Sequence, residues 1–217
     1  MSGDTHFNST NKVNVASFTT HTSALGPGIR AVVWVQGCPL HCRGCLAPGW
    51  IPFIQANLMT PTEILEKFEI QKIDGLTFSG GEPFEQASGL AELARLARKK
   101  KDLNIICFTG YRYELLQNHP PNDGVYELLK EIDVLIDGPY IESLNDSIGL
   151  RGSSNQRIIH LTSRLRLYDL EDQKRKLEVT IRDGEMAFVG IPTPGIKSVM
   201  DLAYKSEFER MDEDERL

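Results

Sequence analysis

Three cysteines within eight residues, Cys38, Cys42 and Cys45, constrain this 217-residue chain more than any other feature. A loop carrying thiols at C-x3-C-x2-C spacing can fold around one metal centre. Tetrahedral zinc usually needs a fourth ligand, and His41, one place from Cys42, is awkwardly placed to supply it. A 4Fe-4S cluster takes one cysteine per iron, so three cysteines leave one iron open to an exogenous ligand. A structural zinc knuckle borrowing an outside ligand is the competing reading. A small secreted disulfide scaffold would instead spread an even number of cysteines along the chain. The remaining thiol, Cys107, sits in the apolar run Asn104–Phe108 and reads as a buried structural residue.

The sequence around this loop alternates strand and helix signals. Val13–Phe18 suggests a short edge strand, and residues 30–36, rich in β-branched valine, suggest a second. Thr60-Pro61 with Glu63 is a capping box opening a helix that carries Ile64, Leu65 and Phe68 on one face. Residues 74–78 read as a buried strand closed by Ser79-Gly80-Gly81. Ala87, Leu90, Ala91, Ala94 and Ala97 mark a helix over 85–100, with a basic end suited to its dipole. Strands follow at 103–108, 134–136 and 157–161, with helices near 113–117 and 125–132. Roughly four such units imply right-handed βαβ connections and a parallel sheet, an incomplete (β/α) barrel or an open α/β sheet.

This core spans residues 1–163. Residues 164–217 form a C-terminal extension: a charged linker or exposed helix over 164–176, a β-hairpin and an acidic tail. Leu177, Val179 and Ile181 alternate toward Asp183-Gly184, a two-residue turn, and Met186 and Phe188 continue beyond it. The hairpin is expected to add an edge to the sheet and bound the substrate opening. On that reading, a chain truncated after Leu161 keeps its centre but loses its substrate.

Composition narrows the partners. No apolar run approaches the roughly 18 residues of a membrane span. The N-terminus lacks a basic patch followed by an apolar stretch, so a cytoplasmic location is expected. With 24 basic and 30 acidic residues the net charge is −6, which argues against a globally basic nucleic-acid-binding surface.

Beyond the three thiols, Gly26-Pro27-Gly28-Ile29-Arg30, Trp34–Cys38 and Ser79-Gly80-Gly81-Glu82-Pro83 resemble the radical S-adenosylmethionine (SAM) superfamily. Within it they resemble the branch that activates glycyl radical enzymes. Gly44 before the third cysteine, Phe108–Tyr111, Asp133–Tyr140 and Arg151–Gln156 are similar to activases of anaerobic ribonucleotide reductases. The resemblance covers roughly residues 12–162, and those activases tend to end soon afterwards.

The resemblance implies an α/β partial (β/α) barrel of radical SAM type, here with a C-terminal β-hairpin extension. It implies a 4Fe-4S cluster on Cys38, Cys42 and Cys45, with SAM as second cofactor. Gly80 and Gly81 would let the backbone approach SAM closely, and their carbonyls or Glu82 would accept from its ammonium. Thr109 is either a ligand contact or a strand-end cap. Asp137 is either a ribose ligand or part of the turn Asp137-Gly138-Pro139. Ser153 and Asn155 are further candidate SAM contacts, although simple βα topology puts residues 151–156 at the opposite end of the sheet.

The implied activity is reductive SAM cleavage to a 5′-deoxyadenosyl radical, which abstracts hydrogen from a glycine Cα of a glycyl radical partner. A flavodoxin- or ferredoxin-like protein would supply the electron. The alternatives are a radical SAM enzyme acting on a peptide side chain or nucleoside, and a non-catalytic iron–sulfur or zinc protein.

Overall fold

A computed structural model describes residues 11–182 and 185–200. The Asp183-Gly184 turn and the acidic tail lie outside the described residues. Nine strands and four named α-helices lie among them, and residues 194–200 are also helical. The strands are β1 (Val13–Thr22), β2 (Arg30–Val35), β3 (Asn57–Met59), β4 (Gly75–Gly80), β5 (Asn104–Phe108), β6 (Val134–Asp137), β7 (Arg157–His160), β8 (Leu177–Arg182) and β9 (Glu185–Gly190). The helices are α1 (Pro61–Glu66), α2 (Ala87–Lys100), α3 (Tyr113–Asn118) and α4 (Val125–Glu131).

Seven strands form one sheet in the order β3-β1-β2-β4-β5-β6-β7. The central run β2-β4-β5-β6 is parallel, as strand–helix alternation requires. Two local readings hold in detail. Thr60 caps α1 through a reciprocal box with Glu63, and α2 buries Ala87, Leu90, Ala91, Ala94 and Ala97.

Other expectations need correcting. β1 is not an edge along its first residues, because the short strand β3 pairs with Val13, Asn14 and Val15 on its outer side. β7 runs antiparallel to β6, pairing Asp137 with Arg157. Residues 151–156 therefore lie at the C-terminal end of β6, not at the opposite end of the sheet. The connection carries no α-helix to make the crossover usual between parallel strands.

Each parallel strand buries both faces. Val33, Val35, Leu76, Phe78, Ile105, Cys107 and Leu135 face a core shared with α1, α2 and α4. Val32, Trp34, Ile106, Val134 and Ile136 face a second core that no long helix covers. That core is closed by Leu150, Leu165, Leu170, Val189 and Ile191. Residues 164–176 contain no helix and are not a plain linker, since Leu165 and Leu170 are each 2% exposed.

The hairpin β8–β9 forms its own two-stranded sheet instead of extending the large one. It docks by the face opposite to the more apolar one that carries Val179, Ile181 and Met186. Register places Glu178 across from Val189. Glu178 accepts from Thr22 Oγ1 (2.7 Å), Ser23 N (2.8 Å) and Ser23 Oγ (3.1 Å), while Val189 packs into the second core. Val179, Ile181 and Met186 stay about half exposed or more. A strand's two faces alternate, so the docking bonds of one acid turned the more apolar face outward. Among the described residues, no helix is long and apolar enough to cross a membrane.

This packing changes the expected effect of truncation. Each fully buried leucine or isoleucine contributes about 1.5–3 kcal/mol. Losing Leu165, Leu170 and Ile191 together removes about 5–9 kcal/mol, comparable with the whole stability of a domain. A chain ending at Leu161 should therefore fail to fold cooperatively. Leu170→Ala should cost about 2–5 kcal/mol in urea unfolding. A truncated protein that melts cooperatively near the wild-type midpoint would refute this role of the extension.

Candidate functional site

The four parallel strands deliver their following loops to one end of the sheet. The cysteine loop follows β2, Gly81-Glu82 follows β4, Thr109-Gly110 follows β5, and Asp137-Gly138 ends and follows β6. Ligands of α/β sheets bind at this end.

The cysteine loop is tied at its base. Gly37 N donates to Trp50 O (2.9 Å) and Cys38 N to Ile51 O (3.0 Å). The Trp34 and Trp50 rings pack with centroids 5.6 Å apart. Cys38, Cys42 and Cys45 are free and half-buried. Burial pushes the Cys38 thiol up to about 11, with Glu82, Cys45 and Cys42 adding to the rise. Burial likewise raises Cys45. His41 is exposed, with a φ of 46°, and does not pack into the loop.

The donor set fits an iron–sulfur centre. It consists of three soft thiols on one loop, and Cys45 Sγ also accepts from Ala47 N (3.4 Å). Among the described residues, no group of three or more His, Cys, Asp or Glu is arranged to hold a single metal ion. Cys107 lies in β5, is fully buried and packs into the helix-covered core.

The Gly80–Glu82 turn is clasped directly onto the cysteine loop. Gly81 N donates to Val35 O (2.7 Å) and Glu82 N to Gly37 O (2.9 Å). A Cβ on Gly81 would stand 2.3 Å from Gly37 O, and one on Gly80, whose φ is +106°, 2.5 Å from Val35 N. The absence of side chains here lets the β4 turn approach the backbone of Trp34–Gly37.

Glu82 is 1% exposed. It accepts from Phe84 N (3.0 Å), Thr109 Oγ1 (2.8 Å) and Gly110 N (2.9 Å). Burial lifts its carboxyl to about 7, against the pull of these three bonds. One carboxylate thus joins the β4 and β5 loops, and Leu40 of the cysteine loop packs over Gly110. Thr109 also holds Tyr111 N (3.1 Å), so its cap role is realised. Tyr111 donates to Glu85 (2.6 Å), and burial raises its hydroxyl.

Asp137 is fully buried. Its oxygens accept from Tyr113 N (2.8 Å) and from Arg157 Nε (2.9 Å) and Nη2, and Arg112 lies 3.5 Å away. Both oxygens are engaged within the protein. Ser153, also fully buried, accepts from Ile141 N (3.1 Å). Asn155 differs: Nδ2 donates to Pro139 O (2.8 Å), while Oδ1 is buried without a partner. Buried unpaired acceptors are uncommon and costly, so Asn155 retains capacity for an added donor. Arg157 as partner of Asp137 was missed in the sequence, because only the antiparallel register brings them together.

Comparison with known proteins agrees with this geometry. A family model described as a 4Fe-4S single cluster domain matches residues 24–159. The anaerobic ribonucleoside-triphosphate reductase-activating protein of Enterobacteria phage T4 is 33% identical over 141 residues, covering 61% of this chain and 85% of that protein. Its counterpart in Vibrio cholerae is 33% identical over 144 residues, 62% and 89% of the two chains. That of Escherichia coli K12 is 31% identical over 146 residues, 63% and 91%.

The environment of Glu82 has a measurable consequence. Its carboxyl ionises near 4.5 when unfolded and near 7 when folded. The stability it contributes is fully present below about 4.5 and lost as pH rises through 7. Between pH 5 and 8, wild type should lose on the order of 2–3 kcal/mol of unfolding free energy that Glu82→Gln does not. Identical pH profiles for the two proteins would contradict the assignment.

Proposed function

We propose, on the premise that the chain belongs to the 4Fe-4S single cluster domain family, that it is a radical SAM enzyme activating a glycyl radical partner. The observation that carries this reading is the single loop with three half-buried thiols at the ligand-binding end of the sheet, clasped to the Gly80–Glu82 turn. Relatives named for activation of anaerobic ribonucleoside-triphosphate reductase favour a reductase-like partner over a peptide side chain or nucleoside. The proposed fold type is a partial (β/α) barrel. Cys38, Cys42 and Cys45 would hold the cluster, which, reduced by a flavodoxin- or ferredoxin-like donor, would supply the electron for cleaving SAM to methionine and a 5′-deoxyadenosyl radical able to take hydrogen from a glycine Cα.

The chain's own residues bind, orient and exclude water. The carbonyls of Gly80 and Gly81 and the carboxylate of Glu82 accept from the SAM ammonium. Three of roughly four acceptor positions on Glu82 are already used, so a cation arriving beside it favours the ionised form that burial disfavours. Asn155 Oδ1 accepts from the cofactor and so satisfies its empty acceptor position. Asp137 and Ser153 act as positioning residues: Asp137 fixes β7 through Arg157, and Ser153 fixes the turn at Ile141. Thr109 holds the Glu82 carboxylate at the β5 end.

Anaerobically reconstituted protein should contain about four iron and four sulfide per chain. Alanine at Cys38, Cys42 or Cys45 should abolish the cluster, whereas Cys107→Ala should retain it and affect only packing. With SAM and reductant, the clustered protein should form 5′-deoxyadenosine, and with a glycyl radical partner a radical signal in electron paramagnetic resonance. Stoichiometric zinc without labile sulfide would exclude the reading. Cluster without any 5′-deoxyadenosine would leave an iron–sulfur protein of another kind.

A further inference from the structure

The C-terminal extension does more than close the second core. After β9 the chain returns across the 142–145 turn, toward the cysteine loop. Pro192 O accepts from Asn145 Nδ2 (3.3 Å) and Arg175 Nη1 (3.4 Å), and the same Arg175 nitrogen donates to Asn145 Oδ1 (2.6 Å). These bonds anchor the strap. Residues 194–200 then form a helical turn that carries Lys197. Lys197 Nζ lies 3.3 Å from Glu142 Oε1, and its side chain is only 14% exposed. The Glu142 carboxylate presses on Gly44, where an added Cβ would stand 2.4 Å from Oε2. Gly44 precedes Cys45 directly. The strap thus brings a largely buried ammonium onto the carboxylate that touches Gly44 of the cysteine loop. Lys197 lies outside the stretch matched by the cluster-domain family, residues 24–159.

We infer that Lys197 is a positioning residue whose ammonium, held on Glu142 beside the Gly44–Cys45 segment, favours the reduced state of the centre on the three cysteines. This rests on the reading of that centre as a 4Fe-4S cluster. Reduction adds one negative charge. A neighbouring cation stabilises the added charge and a neighbouring carboxylate opposes it, and the ammonium, the more buried of the two, is the less screened.

The test compares anaerobically reconstituted wild type with Lys197→Met, Lys197→Arg and Glu142→Gln. Iron and sulfide are assayed first. The reduced fraction is then read by electron paramagnetic resonance at a set of fixed potentials. At a given potential, Lys197→Met should lower the reduced-to-oxidised ratio about threefold to tenfold, tenfold being 59 mV for one electron. Glu142→Gln should raise the ratio, and Lys197→Arg should stay near wild type. Unchanged ratios in the loaded variants, or shifts of the same sign in Lys197→Met and Glu142→Gln, would overturn the inference. If Lys197→Met loses the cluster, Glu142→Gln decides, and a loaded Glu142→Gln with no rise refutes it. Wild type that takes up no iron and sulfide would refute the cluster reading itself, a result distinct from an unmoved potential.

Discussion

The end of the sheet that carries the thiols depends on one close backbone approach. Gly81 N and Glu82 N donate to Val35 O and Gly37 O, across a gap that would put a Cβ on Gly81 2.3 Å from a carbonyl oxygen. Any side chain there would push the β4 turn off the root of the cysteine loop. The contact in turn delivers Glu82 into a fully buried position, where its carboxylate gathers Phe84 N, Thr109 Oγ1 and Gly110 N. Leu40 then finds Gly110 bare beneath it. The thiol loop, the Gly-rich turn and the β5 loop are therefore one assembly held by a few short contacts. Burying a carboxylate among N–H and O–H donors costs desolvation, seen as a carboxyl raised to about 7, and the structure sustains that cost at this point.

The C-terminal end of β6 and the extension follow a similar logic of buried charge met by specific partners. Arg157 crosses from β7 to hold Asp137, which also takes Tyr113 N at the start of α3. At the base of the sheet, fully buried Arg30 donates to Thr77 Oγ1 (2.7 Å) and Pro27 O (3.1 Å), joining β2, β4 and the loop before β2. Burial drops its guanidinium to about 9. Glu178 docks the hairpin, and Arg175 joins the 145–152 segment to Pro192. In each case a polar side chain decides which surfaces meet, and apolar residues fill the space so enclosed.

Much of the fold was legible in the sequence because it rests on local rules. The Thr60–Glu63 box, the alanine and leucine stripe of α2 and the four β-rich runs each specify their element through nearest neighbours. The order of loops at one end of the sheet follows from parallel strands alone, so the placing of Cys38–Cys45, Gly80–Glu82, Thr109 and Asp137 at that end was foreseeable. Less legible were properties that depend on long-range pairing. The antiparallel turn of β7, the covering of β1 by β3 and the choice of hairpin face are decided by contacts between distant residues. The hairpin shows why: Leu177, Val179 and Ile181 form the more apolar face, yet Glu178 on the other face found Thr22 and Ser23.

The sequence by itself determined the thiol loop, the strand–helix alternation and the glycines that make close approach possible. These are covalent spacings and local preferences, and they exist before the chain folds. Tertiary structure alone decided what those groups touch. Gly81 serves the cysteine loop, Asp137 belongs to Arg157, Asn155 keeps an unpaired acceptor, and Lys197 reaches Glu142 across the fold. Each outcome depends on strand direction, register and the course of the returning chain, which bring together residues that no spacing in the sequence connects.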